Sequence, residues 1–241
     1  NVRRILVEPA EAVKVPRVSV VRLERGERYR GKVDAQHSDS GICLYYQGRS
    51  RSVDERARMA LLIQLVSAPF YLELRTRQQL GYVVFANDAS MLEVPGLSFV
   101  VQSPGTPAPE LEAIIRFFLE SFAKNLKTMT KDTFEMHKAG VLARILEVEK
   151  TLSERTERYW EEIDRRQYTF DSRMRLADAV RKVEQKSFLG FVSKVLAGAE
   201  RREISSLAIG ANHIDSEVLG AEKIVVSSKS FRNSKTFYRS P

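Results

Sequence analysis

Arg75 and Tyr82 are the side chains of this chain best suited to gripping a polypeptide. A guanidinium offers five donors in a planar fork, and a phenol both donates and accepts. The two stand in Leu74-Arg75-Thr76-Arg77-Gln78-Gln79-Leu80-Gly81-Tyr82, where an apolar helix-like segment closes and a strand-like one opens. From such a junction both can reach the backbone carbonyls of a peptide in a cleft and stabilise charge developing on a reacting oxygen. The plainer alternative is that Arg75 caps the helix end and Tyr82 is an ordinary strand aromatic with a bonded hydroxyl. Spacing alone favours that alternative. Gly81 is expected either at φ > 0 or at a close backbone approach, with Gln79 holding the turn together; neither is reactive.

Other chemistry is poorly supported. His37, His137 and His213 are far apart in sequence, and one helical turn either side of His137 stand Thr133 and Val141, so no zinc-binding pair forms there. Cys43, the sole cysteine, excludes an internal disulfide framework, and its apolar run Gly41-Ile42-Cys43-Leu44-Tyr45-Tyr46 reads as a buried, inert thiol. Carboxylate pairs such as Glu161-Glu162 lie among Lys and Arg and read as solvated helix faces. There is no Gly-rich phosphate loop and no Gly-x-Ser-x-Gly elbow. The net charge of +8 is scattered, as in Glu154-Arg155-Thr156-Glu157-Arg158, without a basic stripe or aromatic platforms. It reads as a soluble basic surface rather than a nucleic-acid site.

The elements that must position Arg75 and Tyr82 follow from periodicity. Three strands are expected at Val18 to Leu23, Gly31 to Ala35 and Gly41 to Gln47, then a long helix from Asp54 to about Leu74, kinked or split near Pro69. A hairpin of Tyr82 to Ala86 and Leu97 to Ser103 follows. Leu111, Ile114, Ile115, Phe118, Leu119, Phe122 and Leu126 then mark a clear helix behind Pro107 and Pro109. Further helices open at Thr130, Ser153 and Asp171 and run through Phe188 to Leu196. Glu203 to Ile209 returns to a strand, and a basic-aromatic tail with Phe231, Phe237 and Tyr238 is expected to dock on something larger. This order is α+β: a largely antiparallel sheet with helices packed on one face. Residues 1–17, with Pro9 and Pro16, read as a linker or edge segment from a preceding domain, and 18–241 as a single domain. No apolar run is expected to span a membrane. Without an initiator Met, and with Asn1-Val2-Arg3-Arg4 at its start, the chain reads as a piece of a longer polypeptide.

The nine-residue junction resembles the Leu-Arg-Thr-x-x-Gln-Leu-Gly-Tyr signature in the C-terminal half of the pitrilysin and insulin-degrading-enzyme (insulinase) family of inverted-zincin metallopeptidases. Weaker likenesses flank it in order: Asp34 to Gln47, Phe70 to Ala86, Leu97 to Ser103, then Thr151-Leu152-Ser153, Tyr159-Trp160 and Tyr168 to Arg173, so the resemblance runs from about residue 18 to about 200. The family's zinc-binding His-x-x-Glu-His is absent from this chain. The resemblance therefore implies a non-catalytic domain carrying substrate-binding Arg75 and Tyr82, with no catalytic residue, metal or cofactor of its own. Zinc is expected in the N-terminal half of the same polypeptide, which would be its partner together with peptide substrates; nucleic acid and membrane are not expected. Two outcomes stay open: a working peptidase half, or a binding or scaffold subunit from a family member without a zinc site. His-x-x-Glu-His upstream of Asn1 would decide between them. The compartment, cytoplasmic or periplasmic, is also open. Lys150 lies where some relatives carry polyanion-binding basic residues, and a single Lys supports that weakly.

Overall fold

The computed structural model describes residues 18–164, 168–214, 223–225 and 227–239; the expected linker at 1–17 lies outside them. The strands are β1 (Ser19–Arg22), β2 (Arg28–Asp34), β3 (Ser40–Gln47), β4 (Val83–Asp88), β5 (Gly96–Ser103), β6 (Glu203–Ile209), β7 (Lys223–Ile224) and β8 (Thr236–Arg239). The helices are α1 (Val53–Tyr71), α2 (Ala108–Asn125), α3 (Lys131–Ile145), α4 (Leu152–Asp164), α5 (Ser172–Lys182), α6 (Gln185–Val192) and α7 (Ser228–Asn233).

Six strands form one sheet in the order β4-β5-β3-β6-β2-β7. The β4/β5, β5/β3 and β3/β6 pairings are antiparallel, whereas β6/β2 and β2/β7 are parallel. Period-two alternation makes β3 two-faced: Ile42, Leu44 and Tyr46 are buried in the core, while Cys43 and Tyr45 turn to the other side. Helix α1 covers the core face, burying Leu61, Leu62, Val66 and Phe70, with the Phe70 and Phe99 rings 5.0 Å apart. Helix α2 adds Leu111, Ile115, Leu119 and Phe122, the residues its 3.6-residue period marked. The helix starts are locally encoded. Ser52 accepts from the Glu55 amide at the head of α1, Thr130 accepts from the Thr133 amide at the head of α3, and α2 begins behind Pro107.

A buried ionic cluster closes the β6 end of the core. Arg116 on α2 holds Glu203 bidentately at 2.6 and 2.9 Å and Glu112 at 2.6 Å; Arg201 adds a bond to Glu203 at 2.9 Å, and Arg30 one to Glu112 at 2.7 Å. Glu203 is fully buried. Burial alone would raise its pKa, but Arg116 and Arg201 hold it below the ordinary carboxylate range.

Four expectations need correction. Pro69 neither splits α1 nor ends it; the helix runs to Tyr71, and the disturbance appears downstream as a π turn at Leu72–Arg77. Together, Val53–Arg77 makes a 25-residue helix apolar enough by length and composition to cross a membrane. Its apolarity has a local cause, since Leu61, Leu62, Val66, Phe70 and Leu74 are buried in this core. Cys43 is half-buried on the sheet face opposite α1, where it lines a groove with Tyr45, Ile204 and Phe231; desolvation raises its thiol pKa. Finally, the basic-aromatic tail docks on its own chain. Strand β8 pairs with β1, Phe231 packs edge-on against Tyr29 at 4.8 Å, and Lys235 bonds Glu27 and the Tyr29 hydroxyl.

Candidate functional site

The Arg75–Tyr82 junction is built by three local devices. The π turn widens the end of α1, so Gln78 N–H bonds the Glu73 carbonyl at 2.9 Å instead of the Leu74 one, and Leu80 N–H bonds Leu74 O at 3.1 Å. Leu74 goes fully into the core and Leu80 packs against it, leaving Thr76, Arg77, Gln78 and Gln79 exposed and Arg75 half-buried. The Glu73 carboxylate ties the outer side together, accepting from Gln78 Nε2 at 3.1 Å and from Arg77 at 3.0 Å. Those two bonds, Gln78 first, hold its pKa below the usual carboxylate range.

Gln79 and Gly81 then divide the work of turning the chain. Gln79, exposed, takes the left-handed conformation at φ 53°. Gly81 has no need of positive φ; it lies flat on β5, where a Cβ would sit 1.9 Å from the Gln102 carbonyl oxygen. Only a residue without a side chain lets β4 start there and pair Val83 with Gln102. Of the two roles expected for Gly81, close approach is the one observed, and the φ > 0 role falls to Gln79.

This geometry brings Arg75 and Tyr82 together. Tyr82 is 89% exposed, and the Arg75 guanidinium stacks over its ring at 4.8 Å from the centroid. Among the described residues no hydrogen bond or ion pair engages the Arg75 guanidinium, and none engages the Tyr82 hydroxyl. Their donors therefore face solvent. Cation–π contact orients the guanidinium without consuming its N–H groups.

Periodicity missed what lies beside the pair. The Gln102 side chain reaches from β5 to Asp39 at 3.0 Å, and His37 Nδ1 stands 3.6 Å from the same carboxylate. His213 bonds Ser40 Oγ at 2.9 Å from the loop after β6. Hydrogen bonds from Ser38 and Gln102 lower the Asp39 pKa, helped by the two imidazoles. Two of the three histidines thus meet around one carboxylate despite their separation in sequence, while His137 stays apart on α3. Among the described residues no group of three His, Cys, Asp or Glu side chains could hold a metal ion.

Comparison with known proteins gives this geometry a relationship. A family model described as PQQ synthase PqqF-like, C-terminal lobe domain 4, matches residues 61–160. The chain is 33% identical over 181 residues to insulin-degrading enzyme of Homo sapiens, covering 75% of this chain and 18% of that enzyme. The chain belongs to the insulin-degrading-enzyme and pitrilysin family. Nardilysin of Rattus norvegicus is 30% identical over 189 residues, 76% of this chain and 16% of its own length. The fold of this family domain matches a crystal structure of pitrilysin with a TM-score of 0.85 at 22% identity, over 94% of this chain and 24% of that one. The family domain thus spans under a quarter of each of these relatives.

Proposed function

We propose that residues 18–241 form one metal-free domain of a zinc metalloendopeptidase that degrades peptides. In this reading the domain supplies part of the substrate site and the wall of the proteolytic chamber. Zinc belongs to the N-terminal half of the parent polypeptide, where it would polarise water and the scissile carbonyl. The observation that carries the proposal is the stacked pair of half-buried Arg75 and exposed Tyr82, placed by the turn with its donors unspent. Arg75 donates to backbone carbonyls of an extended peptide and fixes its register. The Tyr82 hydroxyl donates to a carbonyl oxygen near the reacting bond, where a preorganised donor acts most strongly on developing charge. Gly81 and the left-handed Gln79 support the turn without touching substrate.

Family membership suits a working peptidase and a zinc-less scaffold member alike; His-x-x-Glu-His upstream of Asn1 separates them, and the parent enzyme provides the test of the pair. Arg75→Ala or Tyr82→Phe should each lower kcat/KM by roughly a hundredfold, with zinc content and melting temperature unchanged. The 241-residue chain by itself should bind no stoichiometric zinc and cleave no peptide. Normal turnover in both variants would remove the assigned role.

A further inference from the structure

A groove opens on the other side of the turn that carries Arg75. One wall is Leu72, Glu73 and Arg77 at the end of α1, the other is Phe117, Ser121 and Phe122 of α2, and they enclose about 280 Å³. The three α2 residues follow at steps of four and one, so they share one helix face. Between the walls Phe118 ties the groove to the core. Its ring stacks on Phe122 at 5.9 Å and meets Phe70 of α1 edge-on at 5.4 Å.

Two large apolar side chains stay in water here: Phe117 is 73% exposed and Leu72 48%. An exposed apolar residue standing alone is ordinary. Two on opposite walls of one groove, with aromatic rings between them, form a surface that gains from being covered. The rim is already shaped, because Glu73 accepts from Arg77 at 3.0 Å and from Gln78 at 3.1 Å. The polar groups at the mouth thus engage one another, and the interior offers ring faces and edges, against which a further ring packs offset or edge-on.

We propose that this groove receives an aromatic or branched apolar side chain of the peptide held by Arg75 and Tyr82. The proposal rests on the peptide-binding reading of that pair. A single turn, Leu72–Arg77, builds both places. Leu72, Glu73 and Arg77 turn towards α2, while Arg75, which falls between them in sequence, stacks on Tyr82. A helix with its side chains is about 10–12 Å across, and extended chain at roughly 3.3 Å per residue crosses that in about three or four residues. The groove therefore reads a residue about that far from the carbonyl that Arg75 holds, and not the residue at the reacting bond. Peptides with a large apolar side chain at that spacing are the ones this domain selects.

The test uses the 241-residue chain and two glycine–serine peptides, one with a single Phe in the middle and one with Ala there, each extending about five residues either side. Followed by NMR, the Phe peptide should shift the Leu72, Phe117 and Ser121 amides together with that of Tyr82, and bind about tenfold tighter than the Ala peptide. Phe117→Ser, and Ser121→Trp, which fills the groove, should each erase the shift at Leu72 and bring the two affinities together. Equal affinity in the unmodified chain, no shift at Leu72 or Ser121, or a preference for Phe that survives both variants would overturn the proposal. In the parent protein Phe117 should stay open to hydroxyl-radical labelling until peptide is added; protection before that means another domain fills the groove, and the proposal falls. Arg75→Ala tells the two readings apart: it should weaken both peptides while the Phe peptide still shifts Leu72. Unchanged affinities with that shift intact would remove the role of the pair and leave that of the groove.

Discussion

Arginine is used in opposite ways at two places in this domain. In the cluster at the base of β6, Arg116 and Arg201 are committed to Glu203, and the carboxylate they share is fully buried. At the α1–β4 junction, Arg75 is only stacked on a ring that is itself almost wholly in solvent. The first arrangement turns guanidinium donors onto a buried carboxylate, which is how buried charge becomes tolerable. The second fixes the position of a guanidinium while leaving its donors free for a ligand.

That contrast can be broken at its strongest point. Glu203→Ala leaves two guanidiniums facing a buried gap and should cost about 3–5 kcal/mol, measured by chemical denaturation; a loss below 1 kcal/mol would mean the cluster behaves like a surface pair. Gly81→Ala comes next. Its Cβ would meet the Gln102 carbonyl at 1.9 Å, so β4 must shift, at a cost of about 1–3 kcal/mol. The substitution should also part Arg75 from Tyr82, visible as altered Tyr82 ring shifts.

Acid acts more gently on the same cluster. Because the folded-state pKa of Glu203 is depressed, its contribution is fully present above the unfolded value of about 4.3 and disappears as pH falls through the folded one. Glu27 behaves alike: burial opposes ionisation, but Lys235 and further bonds bring its pKa down to about 2. Denaturation midpoints should therefore fall below pH 4.3, and less steeply in Glu203→Gln. The smallest stability effect belongs to Arg75→Ala, at under about 1 kcal/mol for an exposed cation–π contact. A larger loss would mean that Arg75 supports the fold rather than awaiting a ligand.

The identity of the elements was legible wherever local chemistry decides them. Glu203 to Ile209 is a strand over the expected residues, and α2 carries the expected buried stripe because its period matches a face that has a sheet to cover. Pro69 misled because the consequence of a proline in a helix depends on what surrounds it. Here α1 stays packed on β4 while Ser67 Oγ donates to the Ile63 and Ala86 carbonyls, and the chain widens three residues later. Cys43 misled because an apolar run tells which residues avoid water, and not which of the sheet's two faces each one meets.

Sequence by itself determined the α+β order, the family likeness, and the one junction where an arginine and a tyrosine could serve a peptide. These depend on residue type and on spacing of a few positions. Tertiary structure alone decided that Gln79 rather than Gly81 takes the left-handed turn, that Gln102 forms the floor under Gly81, and that Glu203 is buried against Arg116 of α2. Each of these depends on contacts between residues at least twenty positions apart or on the path between them, and such contacts exist only once the chain has closed on itself.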